Sequence, residues 1–210
     1  MSRGLIAGAC LQGVQRGARY LRVAGTRALP TPHRKCDSAP EATGVAGHRL
    51  NGMIPMTPAV NLARKLGIAH VVHEYDHDPG SDSYGLEAAD KLQIAPPRVF
   101  KTLVVSLDGR EFAIGVLPVS AMLSMKLIAK AAGARRAVMA EKSAVARATG
   151  YVLGGVSPLG QRRKLRTFID SSAREYPTVY VSAGRRGLEM ELAPEDLRKS
   201  TGGRYADICQ

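Results

Sequence analysis

An Asp-Gly pair between two β-rich runs narrows the possible folds of this chain more than any other feature. The runs are residues 99–107 and 111–117, and Asp108-Gly109-Arg110 joins them. Asp-Gly is a favoured dipeptide of tight hairpin turns, so we expect the two runs to pair antiparallel. Helix and strand signals alternate on both sides of this hairpin, which argues against an all-parallel doubly wound sheet. We predict an α/β fold in a single domain, with helices packed around a mixed sheet.

The signals that begin and end helices become regular at Met56. Thr57 and Pro58 are typical of a helix start, and Gly67 of a helix end. Further helices are predicted at 86–94, where Pro96-Pro97 would stop the helix, from Ser124 to Gly133, at 141–149 and from Ala193 onward. The remaining strands are predicted at 69–75, 135–139, 166–170, 178–182 and 188–192. We therefore place the folded domain at residues 56–210.

Residues 1–55 have a different composition, with eight basic residues against two acidic ones and many interrupting glycines. We expect a basic, disordered extension, and three interpretations of it stay open. An organelle transit peptide is Arg-rich and acid-poor in this way. A basic arm could supplement nucleic-acid binding. The third interpretation, which we favour, is a stretch translated upstream of a true start at Met56.

Net charge and cysteine usage restrict the class of protein. The formal charge of +12 favours a polyanionic partner such as nucleic acid. No apolar run approaches the roughly 20 residues of a membrane-spanning helix, so we expect no membrane association. Cys10, Cys36 and Cys209 form no CxxC pair, which fits a reducing, cytoplasmic location. His70 and His73 would point to opposite faces of one strand, so we expect no metal site.

The residues do not reveal a nucleophile supplied by the protein. There is no G-x-S-x-G elbow, and the cysteines have no evident histidine partner. Gly155 and Gly160 have the spacing of a phosphate-binding loop, but the Lys-Ser/Thr that holds phosphate and Mg²⁺ is missing. A serine hydrolase and an NTPase are both disfavoured.

Three segments carry candidate binding residues, and each also has an ordinary structural explanation. The loop 154–164 combines glycines with the phosphate-pairing run Arg162-Arg163-Lys164, or it is a turn before a solvated basic run. Lys101 enters a strand and either extends to solvent or faces a pocket. Arg185 and Arg186 lie between two strands, where they form either an anion site or the exposed tip of a hairpin.

Taken together, the chain resembles the YbaK branch of the YbaK/ProRS-editing superfamily, the Cys-tRNA(Pro) deacylases. The matching segments are MTPAV (56–60), HEYDHDP (73–79), FKTLVV (100–105), TGYVLGGVSPLGQRRK (149–164), YVSAGRRGLEMEL (180–192) and the YADI near the end. They cover essentially all of 56–210 and none of 1–55. The resemblance implies an aminoacyl-tRNA editing-domain fold around a mixed, partly closed sheet.

The resemblance also implies trans editing, in which cysteine wrongly attached to tRNA(Pro) is removed, with action on Cys-tRNA(Cys) as well. In that family the substrate's own thiol is thought to attack the aminoacyl ester and release a cyclic thioester. Such a reaction needs no nucleophile from the protein and no cofactor, which agrees with our failure to find a nucleophile in the sequence. The enzyme would be classed as a hydrolase, or as a lyase if the cyclic thioester is the product it releases. The implied partners are the acceptor end of the tRNA and a prolyl-tRNA synthetase; the oligomeric state is not implied.

The family's site residues carry over to matching positions here. The resemblance implies that Lys101 is the catalytic residue. The substrate-binding residues are Tyr75, Tyr84, Thr102, Gly154, Gly155, Ser157, Ser182 and Glu189, and the tRNA phosphates are expected at Arg162, Arg163, Lys164, Arg185 and Arg186. Glu189 stands where the family has aspartate, so amino-acid selectivity stays open. Two alternatives remain: an Ala- or Ser-specific deacylase that uses water, and a non-catalytic module that binds tRNA or a synthetase.

Overall fold

The Asp108-Gly109 turn joins the two longest strands of the sheet. In the computed structural model, which describes residues 56–81 and 83–210, both turn residues have positive φ, at 51° and 68°. Left-handed backbone at two successive positions is the geometry of a tight hairpin turn. The Asp108 carboxylate accepts hydrogen bonds from the backbone N–H groups of Arg135 and Arg136, at 3.2 and 2.8 Å. The predicted hairpin is therefore confirmed.

Within residues 56–81 and 83–210, eight strands form one sheet. They are β1 (His70–Glu74), β2 (Val99–Leu107), β3 (Glu111–Pro118), β4 (Ala137–Met139), β5 (Arg166–Asp170), β6 (Val179–Arg185), β7 (Leu188–Leu192) and β8 (Arg204–Ala206). Their order is β1-β7-β6-β2-β3-β5-β8, with β4 paired to β2. The β2–β6, β3–β5 and β5–β8 pairs are parallel and the other pairs are antiparallel. The expected mixed α/β fold is confirmed.

Strand β2 has two partners along one edge. Its first residues, Val99 and Phe100, pair with β6, whereas Val105 to Leu107 pair with β4. The ladder pairings on this edge leave out residues 101–104. Lys101 therefore lies where the sheet divides.

In the part of the chain that the structure describes, five α-helices surround the sheet, and each has eight residues. They are α1 (Pro58–Lys65), α2 (Tyr84–Lys91), α3 (Met125–Ala132), α4 (Lys142–Thr149) and α5 (Pro194–Thr201). The side chain of Thr57 accepts a hydrogen bond from the N–H of Val60 at 3.2 Å, and Ser124 caps α3 in the same way. Single 3₁₀ turns occupy Pro96–Arg98 and Ser171–Glu175. No helix among the described residues is long and apolar enough to cross a bilayer.

Two details differ from the predictions. Helix α2 ends at Lys91, well before Pro96, because Leu92 is its C-cap and Gln93 has a positive φ of 53°. The strand β8 was not predicted, because three residues are too few to show an alternating pattern. Our predictions for residues 1–55 lie outside the described residues.

The helices pack on both faces of the sheet, and each face has its own clusters of buried hydrophobic residues. On one face, Val60 of α1 and Leu197 of α5 pack in one large core with Phe100, Val181 and other buried residues. On the opposite face, α3 packs on a cluster that includes Val105 and Leu107. On that same face α2 packs on a third cluster, which contains Val99 and Tyr180. The two smaller clusters share one face, and Lys101 lies between them along β2.

Candidate active site

Three neighbouring strands place polar side chains in one row across the sheet. Phe100 pairs with Val181 in the parallel β2–β6 ladder, and Ser182 pairs with Glu189 in the antiparallel β6–β7 ladder. Because successive side chains alternate between faces, Lys101, Ser182 and Glu189 lie on the face opposite Phe100 and Val181. Three residues that are far apart in the chain thus form one polar row, which we call the Lys101 row.

The Lys101 ammonium is held by backbone carbonyl groups. Its Nζ atom donates to the carbonyl oxygens of Val119 at 3.3 Å and Ala121 at 2.6 Å, just beyond β3. Burial lowers the pKa of this half-buried lysine below its ordinary value. An ammonium has three N–H donors, so one remains for a ligand. The ammonium is therefore held against the backbone and does not extend freely to solvent, and a pocket at Lys101 stays a prediction.

Glu189 is a buried carboxyl group. The residue is 8% exposed, and its Oε2 atom has no hydrogen-bond partner among the described residues. Burial raises the pKa of this carboxyl to about 8, so at neutral pH it holds its proton and can donate a hydrogen bond. Buried polar atoms normally have partners, so an unpartnered one in a row of polar groups indicates space for a ligand.

Tyr75 and Tyr84 border the row on the side of α2. The Tyr75 hydroxyl donates to the Tyr84 carbonyl over 3.5 Å. Burial, and then the charges of Glu189 and Glu87, raise the pKa of Tyr75 well above its ordinary value, so this phenol stays neutral. The carboxylate of Glu87 accepts from the N–H of Asp78 at 2.6 Å and contacts the ring of His77 at 2.8 Å. These contacts fix the segment before α2 and with it the start of that helix at Tyr84.

The loop 154–164, which we call the glycine loop, packs its first residues against Tyr84 and the β6–β7 turn. Gly154 has a φ of +84°, and a Cβ atom there would come within 2.8 Å of the Tyr84 ring. A Cβ atom at Gly155 would come within 2.8 Å of the Arg185 Cα atom. Both positions need glycine because of this close approach. The fold thus brings Gly154 and Gly155, two of the predicted site residues, close to Tyr84 and the β6–β7 turn beside the row.

Arg185 and Arg186 both make contacts within the protein. Arg185 forms an ion pair with Glu74. The guanidinium of Arg186 lies 4.9 Å from the centre of the Tyr84 ring, and its Nε atom donates to the Leu153 carbonyl at 3.0 Å. Arg186 therefore ties the glycine loop to Tyr84, which is a structural contribution that the sequence analysis did not foresee.

Two predicted substrate-binding residues have other surroundings than the row. Thr102 follows Lys101 and lies on the face of the large core, where its buried Oγ1 has no hydrogen-bond partner among the described residues. The side chain of Ser157 is fully buried, and its hydroxyl accepts from the N–H of Leu159 at 3.2 Å. We conclude that Ser157 stabilises the turn of the glycine loop, and that the side chain of Thr102 lies on the opposite face of the sheet from Lys101.

The second half of the glycine loop lies elsewhere. The backbone N–H of Arg162 donates to the Thr149 carbonyl at 2.9 Å. Arg163 and Lys164 line a separate cleft between α1 and α5. The five cations that the sequence assigned to tRNA phosphate therefore do not form one cluster.

The sequence analysis missed a pair of residues behind Lys101. Burial, and then the neighbouring Asp170, raise the pKa of the Cys209 thiol to about 12, whereas the proximity of Lys101 opposes this shift. Asp170 is 6% exposed and accepts hydrogen bonds from the Ser172 hydroxyl and the Ile208 N–H. A thiol with such a pKa stays protonated at neutral pH and is a poor nucleophile. No motif links these residues, and it is the pairing of β8 with β5 and the bridge between Leu123 and Cys209 that bring the C-terminus close.

The row can supply hydrogen-bond donors and a titratable carboxyl group, but it lacks an activated nucleophile. Of the described histidines, His70 contacts the Ile68 carbonyl, His73 contacts Glu191 and His77 contacts Glu87. His73 pairs with Glu189 in the β1–β7 ladder, but among the described residues no histidine forms a hydrogen bond with the Ser182 hydroxyl. Across residues 56–81 and 83–210 there is no group of three His, Cys, Asp or Glu side chains suited to a metal ion.

The fold and this site agree with a family comparison. The profile described as "Aminoacyl-tRNA editing domain" matches residues 79–200. The chain therefore belongs to the aminoacyl-tRNA editing-domain family, and the resemblance found in its motifs is confirmed.

Relatives in sequence support the same grouping. A protein of Enterococcus faecalis named "Putative Cys-tRNA(Pro)/Cys-tRNA(Cys) deacylase EbsC" is 35% identical over 136 residues, which are 64% of this chain and 83% of that protein. The uncharacterised protein YwhH of Bacillus subtilis is 26% identical over 125 residues, which are 59% of this chain and 79% of its own length.

Two solved structures share the fold. One is titled "Crystal structure of a putative trans-editing enzyme for prolyl tRNA synthetase", with a TM-score of 0.62, 20% identity, and coverage of 74% of this chain and 99% of that one. The other is the hypothetical protein APE2540, with a TM-score of 0.67, 23% identity, and coverage of 73% and 100%. At these identities the likeness concerns the fold alone.

Proposed function

We propose that this chain is a trans-editing deacylase that removes cysteine from Cys-tRNA(Pro) and from Cys-tRNA(Cys). Membership of the editing-domain family supports aminoacyl-tRNA as the substrate, and the 35% identity to a relative named for these two substrates supports cysteine. The observation that carries the proposal is the Lys101 row, which offers a cation, a hydroxyl and a buried carboxyl without an activated nucleophile.

The nucleophile in this reaction is the thiol of the bound cysteine. Its sulfur attacks the carbonyl carbon of the aminoacyl ester, a C–S bond forms, and the ester C–O bond breaks. The thiol proton goes to the ribose oxygen that leaves with the tRNA, and the product is a cyclic thioester that water then opens to cysteine. The protein has to position the ester and stabilise the negative charge that develops on the carbonyl oxygen.

Lys101 and Glu189 have different tasks in this scheme. The free N–H of the Lys101 ammonium stabilises the developing oxyanion. Glu189 receives the α-ammonium group of cysteine, which pairs with the carboxylate and so brings the raised pKa of Glu189 back down. The neutral Tyr75 closes the pocket beside it.

The partners follow from the same proposal. The acceptor end of the tRNA carries the ester into the pocket, and a prolyl-tRNA synthetase supplies the mischarged tRNA. We place the reaction in the cytoplasm, where the mischarged tRNA would be made.

A comparison of three substrates tests the proposal. The full chain is incubated with Cys-tRNA(Pro), Ala-tRNA(Pro) and Ser-tRNA(Pro), and the loss of each amino acid is followed with time. We expect cysteine to be released at least about 100-fold faster, because only its side chain carries a thiol. Loss of alanine or serine at the same rate as cysteine would show a water route without selectivity for cysteine, and faster loss of alanine or serine would show an Ala- or Ser-specific enzyme. Binding of tRNA without release of any amino acid would show a non-catalytic module.

A further inference from the structure

A cavity lies on the opposite side of the sheet from the Lys101 row. It has a volume of about 470 Å³ and is lined by α1, by the second half of the glycine loop and by the end of α5. Helices α1 and α5 belong to the large core, on the face opposite Lys101. We call it the α1–α5 cleft and define it by Asn61, Lys65, Gln161, Arg163 and Lys164.

The α1–α5 cleft is positively charged. Lys65, Arg163 and Lys164 line it, and no carboxylate does. Within the described part of the chain none of these three cations forms an ion pair, whereas Arg98, Arg166, Arg185 and Arg198 each pair with a glutamate. Three like charges around one cavity repel one another, and an anionic ligand relieves that repulsion.

The other groups in the cleft suit a phosphodiester better than a simple anion. Asn61 and Gln161 present amide groups, and Leu62 and Pro158 present apolar surface. The side chain of Gln161 donates one N–H to the Ser157 carbonyl at 2.9 Å, so its second N–H remains for a ligand. A ribose-phosphate backbone offers phosphate oxygens, 2′-hydroxyls and apolar sugar edges, which these three kinds of group can contact.

One loop connects the cleft with the candidate active site. Gly154 and Gly155 pack against Tyr84 and Arg185, while residues 158–161 together with Arg163 and Lys164 line the cleft. We propose that the α1–α5 cleft binds the phosphodiester backbone of the tRNA at a point away from its aminoacylated end. This inference rests on the proposed function for the identity of the RNA.

Uncharged tRNA(Pro) provides a readout that does not depend on catalysis. Its binding to the full chain is measured by fluorescence anisotropy over a range of salt concentrations around 150 mM. For the triple variant Lys65→Gln, Arg163→Gln, Lys164→Gln we expect the Kd to rise at least about tenfold. The slope of log Kd against log salt should fall by about 2, because each lost phosphate contact removes about 0.7–0.9.

Two control variants separate the cleft from general charge. Arg147→Gln removes an exposed cation of α4 that does not line the cleft, so we expect affinity within about twofold of wild type. The triple variant Arg110→Gln, Arg135→Gln, Arg136→Gln removes the same charge as the cleft triple from another cavity, at the β2–β3 turn, and should behave like Arg147→Gln.

Three outcomes would overturn the inference. The first is a cleft variant that binds tRNA within twofold of wild type, and the second is a control triple that loses as much affinity as the cleft variant. The third concerns inorganic phosphate, whose binding is measured by calorimetry. If the cleft variant loses phosphate binding but keeps its affinity for tRNA, the cleft is a site for a free anion.

If the triple variant does not fold, the single variants Arg163→Gln and Lys164→Gln are measured, each with an expected slope change of about 0.7–0.9. Failure of deacylation alone would leave these binding results unaffected, so the two proposals fail separately.

Discussion

Burial outweighs the ordinary acidity of a carboxyl group at Glu189. The family resemblance pointed to this residue as a departure from aspartate, and the extra methylene reaches a place where the carboxyl is almost completely removed from water. Its pKa of about 8 means that the free protein holds a neutral acid beside Ser182 at physiological pH. The sequence identified the residue, but the protonation state depends on the strands and helices that surround it.

Glu189 should make the stability of the protein depend on pH. Folding raises the pKa of Glu189, so the native state accepts the protonated carboxyl but is destabilised by the ionised one. The contribution of Glu189 to the free energy of unfolding is therefore fully present below about pH 4.5 and is lost as the pH rises to about 8. Glu189→Gln should therefore gain stability relative to wild type across this range, by up to about 4 kcal/mol. Urea unfolding of both proteins at several pH values measures the difference.

Glu191 is the matched control. Burial pushes its pKa up, but hydrogen bonds from Thr178 and the contact with His73 hold it below its ordinary value. Its contribution is present above the pKa of the unfolded chain and is lost in acid, so Glu191→Gln should show the opposite trend. The same trend in both variants would contradict the assigned protonation state of Glu189.

At the scale of elements, the glycine loop is held by close contacts rather than by hydrogen bonds alone. Gly154→Ala combines a strained φ of +84° with a Cβ atom 2.8 Å from the Tyr84 ring. We expect a loss of about 1–3 kcal/mol of stability and a fall of about tenfold in deacylation rate, because Tyr84 must shift. Thermal unfolding and single-turnover deacylation measure the two effects.

Gly67→Ala separates backbone strain from this contact. Gly67 has a φ of +64°, but a Cβ atom there meets nothing within 4 Å. Its substitution should cost about 1 kcal/mol and leave deacylation unchanged. Equal loss of activity in Gly67→Ala and Gly154→Ala would show that the contact with Tyr84 has no special importance.

Local signals predicted most of the helices and strands but not how the strands join. Thr57 and Ser124 form the caps that their residue types indicate, and Asp108-Gly109 forms the expected turn. The end of α2 was misplaced because Gln93, which is not a usual left-handed residue, takes a positive φ. The groups that hold the Lys101 ammonium could not be predicted, because the carbonyls of Val119 and Ala121 follow β3 and come close to Lys101 only through the fold.

At the scale of the whole molecule, the sheet separates residues that look alike in sequence. Arg163 and Arg186 were both predicted to contact phosphate. Arg186 stacks on Tyr84 beside the Lys101 row, and Arg163 lines a cleft on the other face. Strand register decides the face of each side chain, and the register between distant segments is not encoded in any local pattern. The composition indicated a polyanionic partner, but only the fold shows which cations remain unpaired.

The central claim is that the Lys101 row is the active site for deacylation, and the variant Lys101→Ala tests this claim most directly. Single-turnover release of cysteine from Cys-tRNA(Pro) is measured for wild type, Lys101→Ala and the control Lys130→Ala, which removes an exposed lysine from α3. We expect Lys101→Ala to slow release by about 100-fold or more, as loss of an oxyanion-stabilising group does, with Lys130→Ala within about twofold of wild type. Circular dichroism confirms that both variants are folded. A folded Lys101→Ala protein that releases cysteine at the wild-type rate would contradict the account.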